Sequence, residues 1–185
     1  MMELDEALRK SGEDTARLAE RLRTGGEDRN KTASELLIVS ATHMKCLEAA
    51  GMGCDALATG VMTLLTIIHT KINPEEIADV YTAFLQDLYI LSLRLCQSAP
   101  DSHTAEHLME ISMRLGALSI VTFKALCQGD GHHKALGERN EAFEEMFQGA
   151  PAEFWQFQER PIMPQSAIDI LSDATARLAS LGYVD

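Results

Sequence analysis

The sequence predicts an all-α, single-domain bundle of about six or seven helices with an amphipathic N-terminal helix. Three observations carry this expectation. From Leu36 to Cys127 the apolar residues recur at helical spacing through four successive segments, and no stretch alternates as a strand would. Capping signals fall at the ends of several of those segments. At 185 residues the chain fits one domain, long enough to bury roughly two-thirds of the surface its unfolded form exposes.

The first helix is expected over about Met2 to Arg23, with Leu4, Leu8, Leu18 and Leu22 on one stripe and Ser11 and Thr15 between them. Thr24 to Lys31 reads as a polar linker. Residues 1–31 are therefore a charged N-terminal helix and linker, able to pack on a partner or a second copy, and residues 32–185 are the bundle. Thr32-Ala-Ser-Glu35 has capping-box spacing and opens a helix to Ala50, which Gly51-Met-Gly53 ends. Asp55 caps the next helix, to about Lys71. Asn73-Pro74-Glu75-Glu76 starts another, to about Gln97, with a first-turn proline and acidic residues at the positive dipole end.

Asp101-Ser102 opens a helix that continues to Gln128. A polar loop with His132 and His133 leads to a shorter helix near Glu138 to Gln148, a helical turn around Ala152 to Gln158, and a break from Pro161 to Pro164. Ser166-Ala-Ile-Asp169 repeats the capping box, and the last helix ends at Gly182. Two helices change character along their length. Asp79, Thr82, Gln86 and Asp87 form a polar face that gives way to leucines. His103, Glu106, His107, Glu110 and Arg114 form another, which gives way to a nearly all-round apolar run from Leu115 to Leu126. Such a run marks a buried helix.

Net charge is −12, and its distribution is uneven. Residues 1–31 hold seven basic and eight acidic side chains, whereas residues 32–185 hold nine basic and twenty acidic. Nucleic acid is not an expected partner, because phosphate binding needs clustered Lys and Arg. An electrostatic partner would be basic. The longest apolar stretch, Ala56 to Ile68, is too short for a membrane span. The charged N-terminal segment lacks a secretory signal. Cys46, Cys54, Cys96 and Cys127 show no C-x-x-C pair and read as small core hydrophobes in a reducing cytosol. The expected location is cytoplasmic.

Among residues that carry chemistry, His103-Thr-Ala-Glu106-His107 resembles the H-x-x-E-H signature of the inverzincin metallopeptidases over five residues. The resemblance implies that His103 and His107 bind zinc and that Glu106 activates water. The same residues share the polar stripe with Glu110 and Arg114, the pattern of a solvated face. Thr59, Thr63, Thr66 and Thr70, with His69 beside them, form a stripe that would orient a ligand in an apolar cavity or serve as an ordinary polar face. Phe143 pairs with Phe147 and Phe154 with Phe157 to plug the end of the core. Trp155 covers the bundle edge or anchors a partner. Nine methionines, among them Met44, Met52, Met62, Met109 and Met113, read as gap-fillers in a helical core. Cys54, close to a helix N-terminus, is the candidate reactive thiol.

No nucleophile elbow, phosphate-binding loop or dinucleotide fingerprint is present. The expected function is therefore a non-catalytic cytosolic interaction protein, such as an adaptor, regulator or export-chaperone-like bundle. A homodimer is expected, with no cofactor, and with partner contacts at Leu4, Leu8, Leu18, Leu22 and Trp155. The alternative is a metal-dependent hydrolase or metal-binding bundle using zinc at His103, Glu106 and His107.

Overall fold

The computed structural model describes residues 2–26, 28–70, 72–129, 131–149 and 164–185. Among them the chain is all-α, with seven α-helices, two short 3-10 turns and no strand. The helices are α1 (Met2–Thr24), α2 (Arg29–Ala49), α3 (Gly53–His69), α4 (Ala78–Gln97), α5 (Ser102–Leu126), α6 (Lys134–Met146) and α7 (Pro164–Ser180). No described helix is long and apolar enough to cross a membrane. The expected turn at Ala152 to Gln158, with Phe154, Trp155 and Phe157, lies outside the described residues.

Several boundaries differ from the expected ones. Asp28, not Thr32, caps α2: its carboxylate accepts from the Lys31 amide at 3.0 Å, and Thr32 sits inside the first turn with its hydroxyl donating to the Asp28 carbonyl. Aspartate caps at least as well as threonine and comes one turn earlier, so the helix starts there. Asp55 lies within the first turn of α3 and does not cap it. After Asn73, whose side chain accepts from the Glu75 amide, the backbone makes a 3-10 turn over Pro74–Ile77 before α4 begins. A second 3-10 turn over Gly131–His133 leads directly into α6, four residues before the expected start. Helix α7 starts at Pro164, whose fixed φ suits a first helical position, and Ser166 is already inside it. Asp101 caps α5 as expected, accepting from the Thr104 amide at 2.7 Å.

The described chain divides into two compact units, residues 1–77 with 171–185, and residues 78–170. In the first unit α1, α2 and α3 pack on one another. Leu18, Leu22, Leu36, Leu37, Leu57, Val61 and Leu64 are buried there. Ser40 and Thr63 join α2 to α3 inside this core at 2.7 Å. Thr63 donates to the Thr59 carbonyl, so Ser40 supplies the proton between the two hydroxyls. Thr63 is thus a core residue, not part of a solvated stripe. The C-terminal segment closes with Gly182 at φ +86°, where the Tyr183 amide bonds the Leu178 carbonyl at 2.9 Å.

In the second unit α4 and α5 form an antiparallel hairpin, with α6 against both. Every residue from Leu115 to Thr122 is buried, as the apolar run of α5 requires. Thr82 and Gln86, expected on a polar face, are fully buried. The reason is α6, whose Leu136 carbonyl accepts from Gln86 Nε2 at 2.9 Å. Phe143 meets Tyr89 edge-on with ring centroids 4.8 Å apart, and Phe147 lies 5.8 Å from the same ring. These aromatics converge on Gly116. A Cβ there would stand 2.5 Å from Phe147 Cζ and 2.8 Å from Tyr89 Cε2.

Alanine normally stabilises a helix interior by about 1 kcal/mol relative to glycine. Gly116→Ala should instead destabilise by about 1–3 kcal/mol, because overpacking outweighs propensity. Gly137→Ala, whose Cβ would meet Phe123 at an ordinary 3.4 Å, should keep most of the propensity gain. Urea denaturation of the two variants would show opposite shifts in midpoint.

Candidate functional site

The first unit carries a groove of about 520 Å³ formed by Leu22 and Arg23 of α1, Arg29 at the start of α2, and Met62, Leu65, Thr66, His69 and Thr70 in and after α3. Its floor is apolar and its walls are basic. Gly25, at φ +81°, turns the chain between α1 and α2, and the Arg29 guanidinium lies where a side chain at 25 would stand. Arg29 Nη1 donates to the Thr70 carbonyl at 3.4 Å, beside the negative end of the α3 dipole. Asn30 Nδ2 donates to the Glu76 carboxylate. Arg23 pairs with Glu20 at 3.4 Å on the exposed side of α1. No described carboxylate lies within ion-pair distance of Arg29.

The charge distribution of the chain hides this groove. The first 31 residues are nearly neutral in sum, yet the fold gathers Arg23, Arg29 and His69 around one recess. The only sequence signal is the position of Arg23 and Arg29 on either side of Gly25-Gly26, which gains meaning once α1 and α2 are antiparallel.

The leucine stripe of α1 divides along its length. Leu18 and Leu22 are 3% and 1% exposed, inside the first unit, whereas Leu4 and Leu8 are half-buried. Trp155 lies outside the described residues. The threonine stripe supplies few free donors, since the hydroxyls of Thr59, Thr63 and Thr66 each bond the carbonyl four residues earlier and Thr70 bonds Ile67. Met44 fills the core as expected. Met52, Met62 and Met109 do not, being exposed.

His103 is exposed and His107 half-buried, and their rings meet edge to face with centroids 4.7 Å apart. Glu106 is exposed beside them. Among the described residues no three His, Cys, Asp or Glu side chains are grouped to hold a metal ion. Cys54 is in the first turn of α3, but burial pushes its thiol pKa up and Asp55 adds to that, against the opposing effect of a hydrogen bond with Tyr183. The helix N-terminus therefore does not make it a ready thiolate.

Comparison with protein-family models, curated proteins and solved structures finds no match to this chain.

One Ser–His pair went unnoticed in the sequence. Ser11 Oγ and His43 Nδ1 are 2.9 Å apart, joining α1 to α2, and Gly12 leaves room for the ring, with a Cβ at 12 only 3.1 Å from His43 Cε1. The Ser11 hydroxyl also lies 3.1 Å from the Leu8 carbonyl. The pair positions α1 on α2.

Burial lowers the His43 pKa below its ordinary 6.5. The unfolded chain takes up this proton near 6.5 while the folded chain resists it. Stability is therefore lost as pH falls through 6.5 toward the lower folded value, and no further loss arises below that. Between pH 7.5 and 5.5 the wild type should lose more stability than His43→Gln, read as urea midpoints at each pH.

Proposed function

We propose that this chain is a non-catalytic interaction protein whose groove beside α1 receives an acidic, partly apolar segment of a partner protein. The observation that supports this most is Arg29, a guanidinium with no described carboxylate partner in a chain of net charge −12, at the wall of a groove floored by Leu22, Met62 and Leu65. Arginine forks match carboxylates in two bonds, and an apolar floor supplies the area that charge alone does not. The partner favoured here is thus acidic at the contact, although the net charge favours basic partners elsewhere on the surface. Four free thiols support the cytosolic setting. A homodimer belongs to the same proposal, with a second copy as the competing occupant of the groove.

A labelled amphipathic peptide of glutamates and leucines should bind, measured by fluorescence anisotropy, and its lysine counterpart should not. Arg29→Glu should weaken binding by about tenfold and reduce its salt dependence. Equal binding of both peptides, or of both proteins, overturns the reading. A dimer that blocks the peptide and dissociates in Met62→Glu assigns the groove to a second copy.

A second reading, favoured by the shared face and ring contact of His103 and His107, is a metal bound at that pair with Glu106 beside it. Zinc in equimolar amount should then give one metal per chain by native mass spectrometry, lost when both histidines become alanine. Untagged protein that retains no zinc removes this reading.

A further inference from the structure

Among the described residues the exposed large apolar side chains are Ile38, Met52, Met62, Met109, Met146 and Tyr183. Met62 belongs to the groove of the first unit. Met52 and Tyr183 lie outside the helices, Ile38 has Lys31 and Lys45 one heptad to either side on α2, and Met109 borders the stripe of His103, Glu106, Glu110 and Arg114, which mixes both charges. Met146 has a different setting. It is 54% exposed at the end of α6, and Glu138, Glu141 and Glu145 lead up to it at steps of three and four.

Those glutamates therefore share one exposed face of α6, with Ala142 and Met146 alongside at a step of four. Lys134 lies 3.8 Å from Glu138, with both side chains largely in solvent, so that pair contributes little. The opposite face of the helix is fixed. Asn140 and Phe143 are buried, the Leu136 carbonyl accepts from Gln86 of α4 at 2.9 Å, and Lys124 of α5 pairs with Glu144 at 2.9 Å. Helix α6 is thus a preorganised element that presents carboxylates and an apolar anchor outward, which lowers the ordering cost of binding it.

The groove of the first unit offers the matching pattern, with Arg23, Arg29 and His69 on its walls and Met62, 43% exposed, on its floor. A helix laid in an apolar groove is a recurring mode of recognition, and residues one turn apart supply its anchors. Helix α6 spans 13 residues, or about 20 Å. One such contact falls at the small end of specific interfaces, below about 1,200 Å² in total. Two copies of net charge −12 also repel. Both effects keep the contact weak and reversible, so a tighter partner displaces it.

We propose that the acidic face of α6 in one copy docks in the groove of the first unit of a second copy, so that self-association closes the groove. Met146 then meets Met62 and Leu65, and Glu145 pairs with Arg29. This contact needs the groove to receive acidic, partly apolar segments, and so rests on that reading of it. Two different surfaces meet, which makes the contact heterologous.

Sedimentation velocity of the full chain from about 10 µM to about 1 mM, the range of weak contacts, tests this. The wild type should associate with rising concentration, and Arg29→Glu and Glu145→Arg should each weaken association about tenfold. Both residues are exposed, so the variants keep the fold. An equimolar mixture of the two variants should associate to within about threefold of the wild type, because one contact in it rebuilds the native pair and the other a reversed pair. A wild type that stays monomeric, an unchanged Glu145→Arg, or a mixture no better than its components overturns the proposal. If the glutamate–leucine peptide still binds in that case, the groove reading stands and only the docking of α6 falls. If the peptide does not bind, the reading falls and this contact with it.

Discussion

The second unit depends on the close approach of α4 and α5 at Gly116. With no Cβ at that position, the rings of Tyr89 and Phe147 take the space a side chain would fill, and Phe143 closes the cluster edge-on against Tyr89. Aromatic pairs in this geometry add to the stabilisation given by buried area alone. The contact also sets register: once Tyr89 stands over Gly116, Thr82 lies against Cys127 and Cys96 reaches the Ala105 carbonyl. Burial pushes the Tyr89 phenol up to about 12, so it stays neutral and compatible with its apolar surroundings.

Helices this apolar still carry hydroxyls and amides, and most of those answer their own backbone. Serine and threonine hydroxyls on α2, α3, α5 and α7 bond carbonyls one turn earlier, as at Thr42, Thr59, Thr66, Ser112 and Thr175. This disposes of a buried hydroxyl without a tertiary partner. Where it does not suffice, links between helices take over, as at Ser40–Thr63 and Ser11–His43. Gln86 reaches across the unit from α4 to the Leu136 carbonyl of α6, whereas Asn140 donates to Glu144 one turn on along α6.

The charged side chains do not all behave alike. Exposed pairs such as Arg9–Glu13 and Arg139–Asp87 have both partners in water and contribute little. Arg29 differs because its partner among the described residues is a backbone carbonyl at a helix end. The neutral sum of the N-terminal segment therefore coexists with a local basic wall.

The sequence by itself determined the all-α class, the approximate extent of most helices and the burial of the α5 midsection, because helical periodicity and capping are local properties that a few residues express together. It also placed His103, Glu106 and His107 on one exposed face, since i and i+4 spacing suffices for that. Tertiary structure alone decided that Thr63, Thr82 and Gln86 lie inside, that half of the α1 stripe is core, and that Arg23, Arg29 and His69 line one groove. Each of these depends on which helix covers which face. Periodicity reports that a face is apolar or polar, but a polar residue is buried or exposed according to the neighbour that answers its hydrogen bonds, and that neighbour lies tens of residues away in the chain.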